Sequence, residues 1–194
     1  LVAPIEDRLR VPTVERVVMN EVLIHADAAT VWANVARVPA IDPKALRFSA
    51  FRLIGIPRPI EAALDRDGLG ALRTASFSGG IVFHERLTAW EPGRRLAFDI
   101  AVDAASIRPD VLDEHVKVGT DSFDVLFGEF VLVPVSPKET RLVLSSRHRL
   151  ATRLNLYAGF WTDAVMRDLQ VTICEVIKAR SEATATFAAP SSSP

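Results

Sequence analysis

GALRTASFSGGIVFHERLTAWEPGRRLAF, residues 70–98, is the stretch on which the fold turns. Leu69, Ala71, Arg73, Ala75 and Phe77 alternate with Gly70, Leu72, Thr74 and Ser76, and Ile81, Phe83, Glu85, Leu87 and Ala89 with Val82, His84, Arg86, Thr88 and Trp90, the odd-numbered faces being the more apolar. A two-residue period of this kind marks strands with one face buried. Ser78-Gly79-Gly80 separates the two runs, and Glu91-Pro92-Gly93 separates the second from RRLAFDIAV. Short polar or glycine-rich connections of this kind predict antiparallel neighbours. If the first is a three-residue turn, Phe77 opposes Ile81 and Arg73 falls opposite Glu85, on the more apolar face. A one-residue slip would instead set Arg73 against His84 or Arg86.

Outward from this hairpin the pattern continues. Upstream, IEAALDR is joined to it through Asp67-Gly68, and VERVVMNEVLIH (14–25) reads as a first strand. DAATVWANVARV follows, with Asp27 as N-cap and Val31, Trp32, Val35 and Val38 at helical spacing. DPKALRFSAF, inside a proline-punctuated stretch at 39–59, is the place for a second short helix. Downstream, an irregular segment at 103–121 precedes SFDVLFGEFVLVPV, and SPKE turns the chain into TRLVLSSRHRL. In that last strand Leu142, Leu144, Ser146, His148 and Leu150 share a face that starts as leucine and turns polar. From 155 to 182 the period changes to three and four, through Tyr157, Phe160, Trp161, Ala164, Val165, Leu169, Ile173, Val176 and Ile177. This predicts a long amphipathic helix. The order is α+β: a curved seven-stranded antiparallel sheet around a long C-terminal helix, with one or two short helices after the first strand. Residues 1–13 read as an N-terminal extension or linker, 14–182 as a single domain, and ATATFAAPSSSP (183–194) as a disordered tail.

Composition narrows the function classes. Of 194 residues, 49% are hydrophobic, and mean hydropathy is +0.20. No run approaches the ~18–20 apolar residues of a membrane span, so the surplus belongs to a core, cavity or interface. Lys plus Arg (23) nearly balances Asp plus Glu (24), without a basic stripe, which argues against nucleic acid as a partner. Cys174 is the lone cysteine and no signal pattern opens the chain at Leu1. A cytoplasmic location is expected, with any membrane tether or association running through residues upstream of those given.

The pieces LIHADAATVWANV (23–35), GALRTASFSGGIVFHERLTAWEPGRRLAF (70–98) and GEFVLVPVSPKETRLVLS (128–145), with the terminal helix, resemble the START-like or SRPBCC superfamily. This is the helix-grip fold of polyketide cyclase/dehydrase and lipid-transport proteins, and the resemblance covers about residues 14–182. Its members carry ligands or act as cyclases without one shared catalytic motif. The resemblance implies an elongated apolar cavity between sheet and terminal helix. It further implies a hydrophobic small-molecule ligand of lipid, isoprenoid or polyketide type.

Candidate ligand contacts are Arg73, Phe83, Glu85, Leu87, Phe98, Leu144, Ser146, His148, Tyr157 and Trp161. Arg73 with Glu85 reads either as a pair that orients a polar ligand group or as a structural cross-strand ion pair. His148 reads either as a core histidine or as a polar anchor in a greasy pocket. Tyr157 and Trp161 fit core packing as well as a cavity wall. Two other functions stay open: a cyclase or dehydratase in which His148 works with Glu85, and a regulatory domain whose apolar groove receives a partner.

Standard chemistries find no footing. Asp113-Glu114-His115 is an isolated acidic and histidine cluster, and His84-Glu85 lies in a strand rather than in a zinc-binding helix. Gly68-Leu69-Gly70 lacks the third glycine of a dinucleotide loop. No Gly-x-Ser-x-Gly elbow exists, and Cys174 lies mid-helix. Neither a metal nor a cofactor is expected.

Overall fold

The computed structural model describes residues 12–46, 49, 56–102, 119, 123–151 and 155–188. Ser78, Gly79 and Gly80 form one tight turn in which Gly79 and Gly80 both take φ 82°. That left-handed backbone is open to glycine without steric cost. The turn lets the Phe77 N–H donate to the Ile81 carbonyl at 2.8 Å. Strands β3 (Leu72–Phe77) and β4 (Val82–Glu91) are thereby locked with Arg73 opposite Glu85 and Ala75 opposite Phe83. Every odd residue from 71 to 77 and from 81 to 89 is buried. Leu69 is the exception to the expected face: it lies in the turn before β3 and is 69% exposed.

The other strands are β1 (Thr13–Ile24), β2 (Pro59–Leu64), β5 (Arg95–Val102), β6 (Phe123–Ser136) and β7 (Glu139–Ala151). They make one antiparallel sheet in the order β1-β7-β6-β5-β4-β3-β2. All connections are between neighbours except the one carrying the chain from β1, at one edge, to β2 at the other. That connection holds α1 (Ala28–Ala36), capped by the Asp27 carboxylate, which accepts from Ala29 N and Thr30 N at 2.9 and 3.0 Å. Within DPKALRFSAF the described part is a single 3-10 turn, Pro43–Ala45. Positions 47, 48 and 50–55 lie outside the described residues, as do 103–118 with Asp113, Glu114 and His115.

Helix α2 (Asn155–Ala188) crosses the concave face of the sheet. At 1.5 Å per residue its 34 residues span about 51 Å. It continues through residues 183–188, where a tail was expected. Alanine favours helix, and the Thr184 and Thr186 hydroxyls donate to the carbonyls of Arg180 and Glu182 at 2.9 and 2.8 Å. The threonines are thus absorbed into the helix instead of ending it. No helix among the described residues is long and apolar enough to cross a membrane.

One core joins α1, α2 and the sheet through Val31, Val35, Leu87, Leu96, Leu142 and Ile177. A second, around Ile41, Phe77, Phe83 and Val176, lies toward β2. Within the first core, the ring of Phe98 of β5 covers its cross-strand partner Gly128 of β6. A Cβ at 128 would sit 2.5 Å from Phe98 Cε2, so only glycine seats that ring. Gly128→Ala is therefore expected to lower stability by about 1–3 kcal/mol in urea denaturation. Phe98→Leu added to it should recover most of the loss, since the smaller side chain clears the new methyl group.

Candidate functional site

The concave face of the sheet and α2 do not close completely on each other. Between them lies a partly open cavity, with ≈ 740 Å³ of empty space once the solvent at its mouth is counted. Phe77, Phe83, Phe98 and Phe130 wall it from the sheet, with Leu169 and Ile173 facing them from α2. Five polar residues interrupt this lining: Glu61, which is exposed, and the buried Arg73, Glu85, Ser146 and Gln170.

The alternation of β3 and β4 brings Arg73 and Glu85 inward side by side, both 4% exposed. Arg73 Nη1 donates to Glu85 Oε2, and Nη2 donates to the Val35 carbonyl near the end of α1 at 3.4 Å. The guanidinium also lies 5.5 Å from the Phe98 ring centre and 6.0 Å from that of Phe130, within cation–π range. Its Nε is buried without a partner among the described residues. Burial pushes the Glu85 carboxyl above the ordinary carboxylate range, while the Arg73 charge pulls the other way.

A second polar group stands on β7 and α2. Gln170 Nε2 donates to the Val18 carbonyl at 3.0 Å and to Ser146 Oγ at 2.7 Å. Its Oε1 accepts from Asn20 Nδ2 at 2.6 Å. Gln170 was not anticipated from the sequence. It stands in the stripe Met166, Gln170, Ile173, Ile177, whose spacing of four, three and four was the available signal.

Of the ten expected contacts, Arg73, Phe83, Glu85, Phe98, Leu144 and Ser146 line the cavity. Leu87 does not; it packs in the core beneath α1. His148 faces inward as its strand period requires and is fully buried, yet lies outside the lining. Val125, its cross-strand partner, reaches the cavity instead. The His148 Nε2 is 3.5 Å from Asp163 Oδ1, and neither ring nitrogen has a hydrogen bond among the described residues. Asp163 is taken up by Arg16, which donates to both carboxylate oxygens at 2.9 and 2.6 Å. Tyr157 and Trp161 are 66% and 45% exposed. The physical reason lies in the first turns of α2, where Gly159 and Asp163 face the Arg16 guanidinium. A Cβ at 159 would come within 2.9 Å of Arg16 Nη1, so the small residue faces the sheet and the aromatics turn away.

Solved structures with this architecture come from distant sequences. The Zhui aromatase/cyclase from Streptomyces sp. R1128 is 16% identical, with 87% of this chain and 94% of that chain covered and a TM-score of 0.54. A protein from Thermus thermophilus is 15% identical over 88% and 99%, also with a TM-score of 0.54. A START superfamily protein from Mycobacterium smegmatis is 12% identical over 87% and 98%, with a TM-score of 0.52. The fold is START-like. At these identities the likeness speaks for the START-like, or SRPBCC, architecture alone. No protein-family model and no curated protein matches the chain.

Two outcomes follow for the charges set into this START-like sheet. Arg73→Met leaves a buried carboxylate unpaired and should cost about 3–5 kcal/mol in chemical denaturation, whereas Arg73→Met with Glu85→Met should restore most of it. For His148, burial pushes the imidazole down, opposed by Asp163 and reinforced by Arg16. The folded state therefore protonates His148 only at lower pH than the unfolded chain, which takes up its proton near pH 6.5. The unfolded state then binds more protons, so stability falls as pH drops below that value. His148→Gln should flatten this decline between pH 7 and 5 in urea midpoints measured along a pH series.

Proposed function

We propose that this chain binds a hydrophobic small molecule, of lipid, isoprenoid or polyketide type, in the cavity between sheet and α2. The observation that carries this reading is a buried ion pair in a largely apolar wall, with one guanidinium N–H unpaired among the described residues. A buried charge pair is a costly way to fill space, since packed hydrophobes of similar volume often stabilise more. Its cost is offset when the pair also holds a ligand's polar group. Apolar burial at roughly 25 cal/mol per Å² would supply most of the affinity, before the costs of association. Arg73 and Glu85 would orient the molecule, as the few polar groups of apolar pockets commonly do.

Catalysis by His148 with Glu85 draws less support. Glu85 lines the cavity whereas His148 stands outside its lining, and acid–base work needs both within hydrogen-bond reach of one substrate. The partly enclosed shape favours a small molecule over a partner helix.

Native mass spectrometry of gently purified protein is expected to show an apolar small molecule retained by the wild type. Ala75 lies in the wall between Arg73 and Phe77 along β3. Ala75→Phe should place a ring across the cavity beside Arg73 and Phe83 and sharply reduce retention while the far-ultraviolet circular dichroism stays unchanged. Equal retention by this variant would place the ligand elsewhere and overturn the proposal.

A further inference from the structure

The network around Ser146 constrains what the ligand carries at the other side of the cavity. Gln170 is 2% exposed, and the orientation of its amide is forced. A backbone carbonyl only accepts, so the atom facing Val18 O must be the nitrogen. The same nitrogen spends its second hydrogen on Ser146 Oγ. The amide oxygen is occupied by Asn20. Ser146 Oγ is thus held as an acceptor by Gln170, and its own hydrogen has no acceptor among the described residues. Ser146 is 7% exposed and lines the cavity, so this hydrogen stands in an apolar enclosure. A buried donor left unpaired is unfavourable.

We infer that the Ser146 hydroxyl is a dedicated hydrogen-bond donor to the ligand. The ligand is accordingly an apolar molecule with an acceptor oxygen, such as a ketone, ester or ether, in addition to the polar group met by Arg73 and Glu85. The inference rests on the cavity being the ligand site. Arg73 on β3 and Ser146 on β7 are four strand spacings apart, at about 4.8 Å each roughly 19 Å along the sheet and less across its concave side. The two oxygens therefore belong to separated parts of one ligand, which sets it apart from an apolar chain with a single polar head. A group that can only donate at the second place, such as an ammonium, reaches only the remaining lone pair of the hydroxyl and leaves its hydrogen unpaired.

Three kinds of probe test this by displacement of a fluorescent naphthalene dye: dodecane, methyl decyl ketone and the linear dodecanediones, whose carbonyls stand at different separations. One dodecanedione should bind about three- to tenfold more tightly than the monoketone, the range of one buried hydrogen bond. Ser146→Ala should remove that advantage and leave the monoketone unaffected. Ser146→Cys keeps the volume but donates weakly, and should behave as Ser146→Ala does. Thermal denaturation of both variants confirms that they remain folded. Equal binding of monoketone and diketones by the wild type, or an advantage that survives both substitutions, overturns the inference and leaves the cavity reading in place. Binding of no probe at all overturns the cavity reading itself, and this inference with it.

Discussion

The ion pair between Arg73 and Glu85 is the constraint around which the described residues are organised. Two charges removed from water lose hydration worth several kcal/mol each, so the surrounding chain has to return that energy through geometry. Several independent features meet this demand. The Ser78-Gly79-Gly80 turn sets the strand register, the Val35 carbonyl takes one guanidinium nitrogen, and the Phe98 and Phe130 rings flank its charge. Phe98 can hold that place because Gly128 leaves room for its ring. A turn, a helix end, an aromatic pair and a strand glycine thus converge on one cation.

Helix α2 supplies the complementary half, and its inward face is less apolar than a core helix requires. Gly159, Asp163 and Gln170 meet Arg16, His148, Asn20 and Ser146 along the β1–β7 side, while Leu169, Ile173 and Val176 face the phenylalanines. The polar row fixes where the helix crosses the sheet, since Asp163 and Gln170 can bond only where Arg16, Asn20, Val18 and Ser146 face them. The apolar row leaves the space open. A helix held by hydrogen bonds on one side can bridge a cavity that pure hydrophobic packing would tend to close, because interiors otherwise approach crystalline density.

How much of this was legible depended on whether the cause was local. The Arg73–Glu85 pairing was readable because a short glycine turn fixes register in its own hairpin. The inward face of β7 was readable because a strand period of two has a single phase. The placement of His148 was not, although its side of the strand was: whether an inward residue meets a cavity, a core or a helix depends on where α2 passes over it. Tyr157, Phe160 and Trp161 misled for the same reason. Aromatic spacing suggests a buried face, but the Arg16–Asp163 bond and the small Gly159 rotate that face outward. Gln170 escaped notice because a polar residue weakens the very pattern that would have placed it.

The amino-acid sequence by itself determined the strands, the antiparallel neighbours joined by short turns, the hairpin register and the long terminal helix. These follow from periodicities and turns that act over a few residues. Only the tertiary structure decided which inward residues line a cavity, that Ser146 is paired with Gln170 24 positions away, and that His148 sits beside Asp163 rather than in the cavity wall. Those outcomes depend on the crossing of a helix over a curved sheet, which is set by contacts between β1 and α2 near opposite ends of the chain, and no local pattern encodes it.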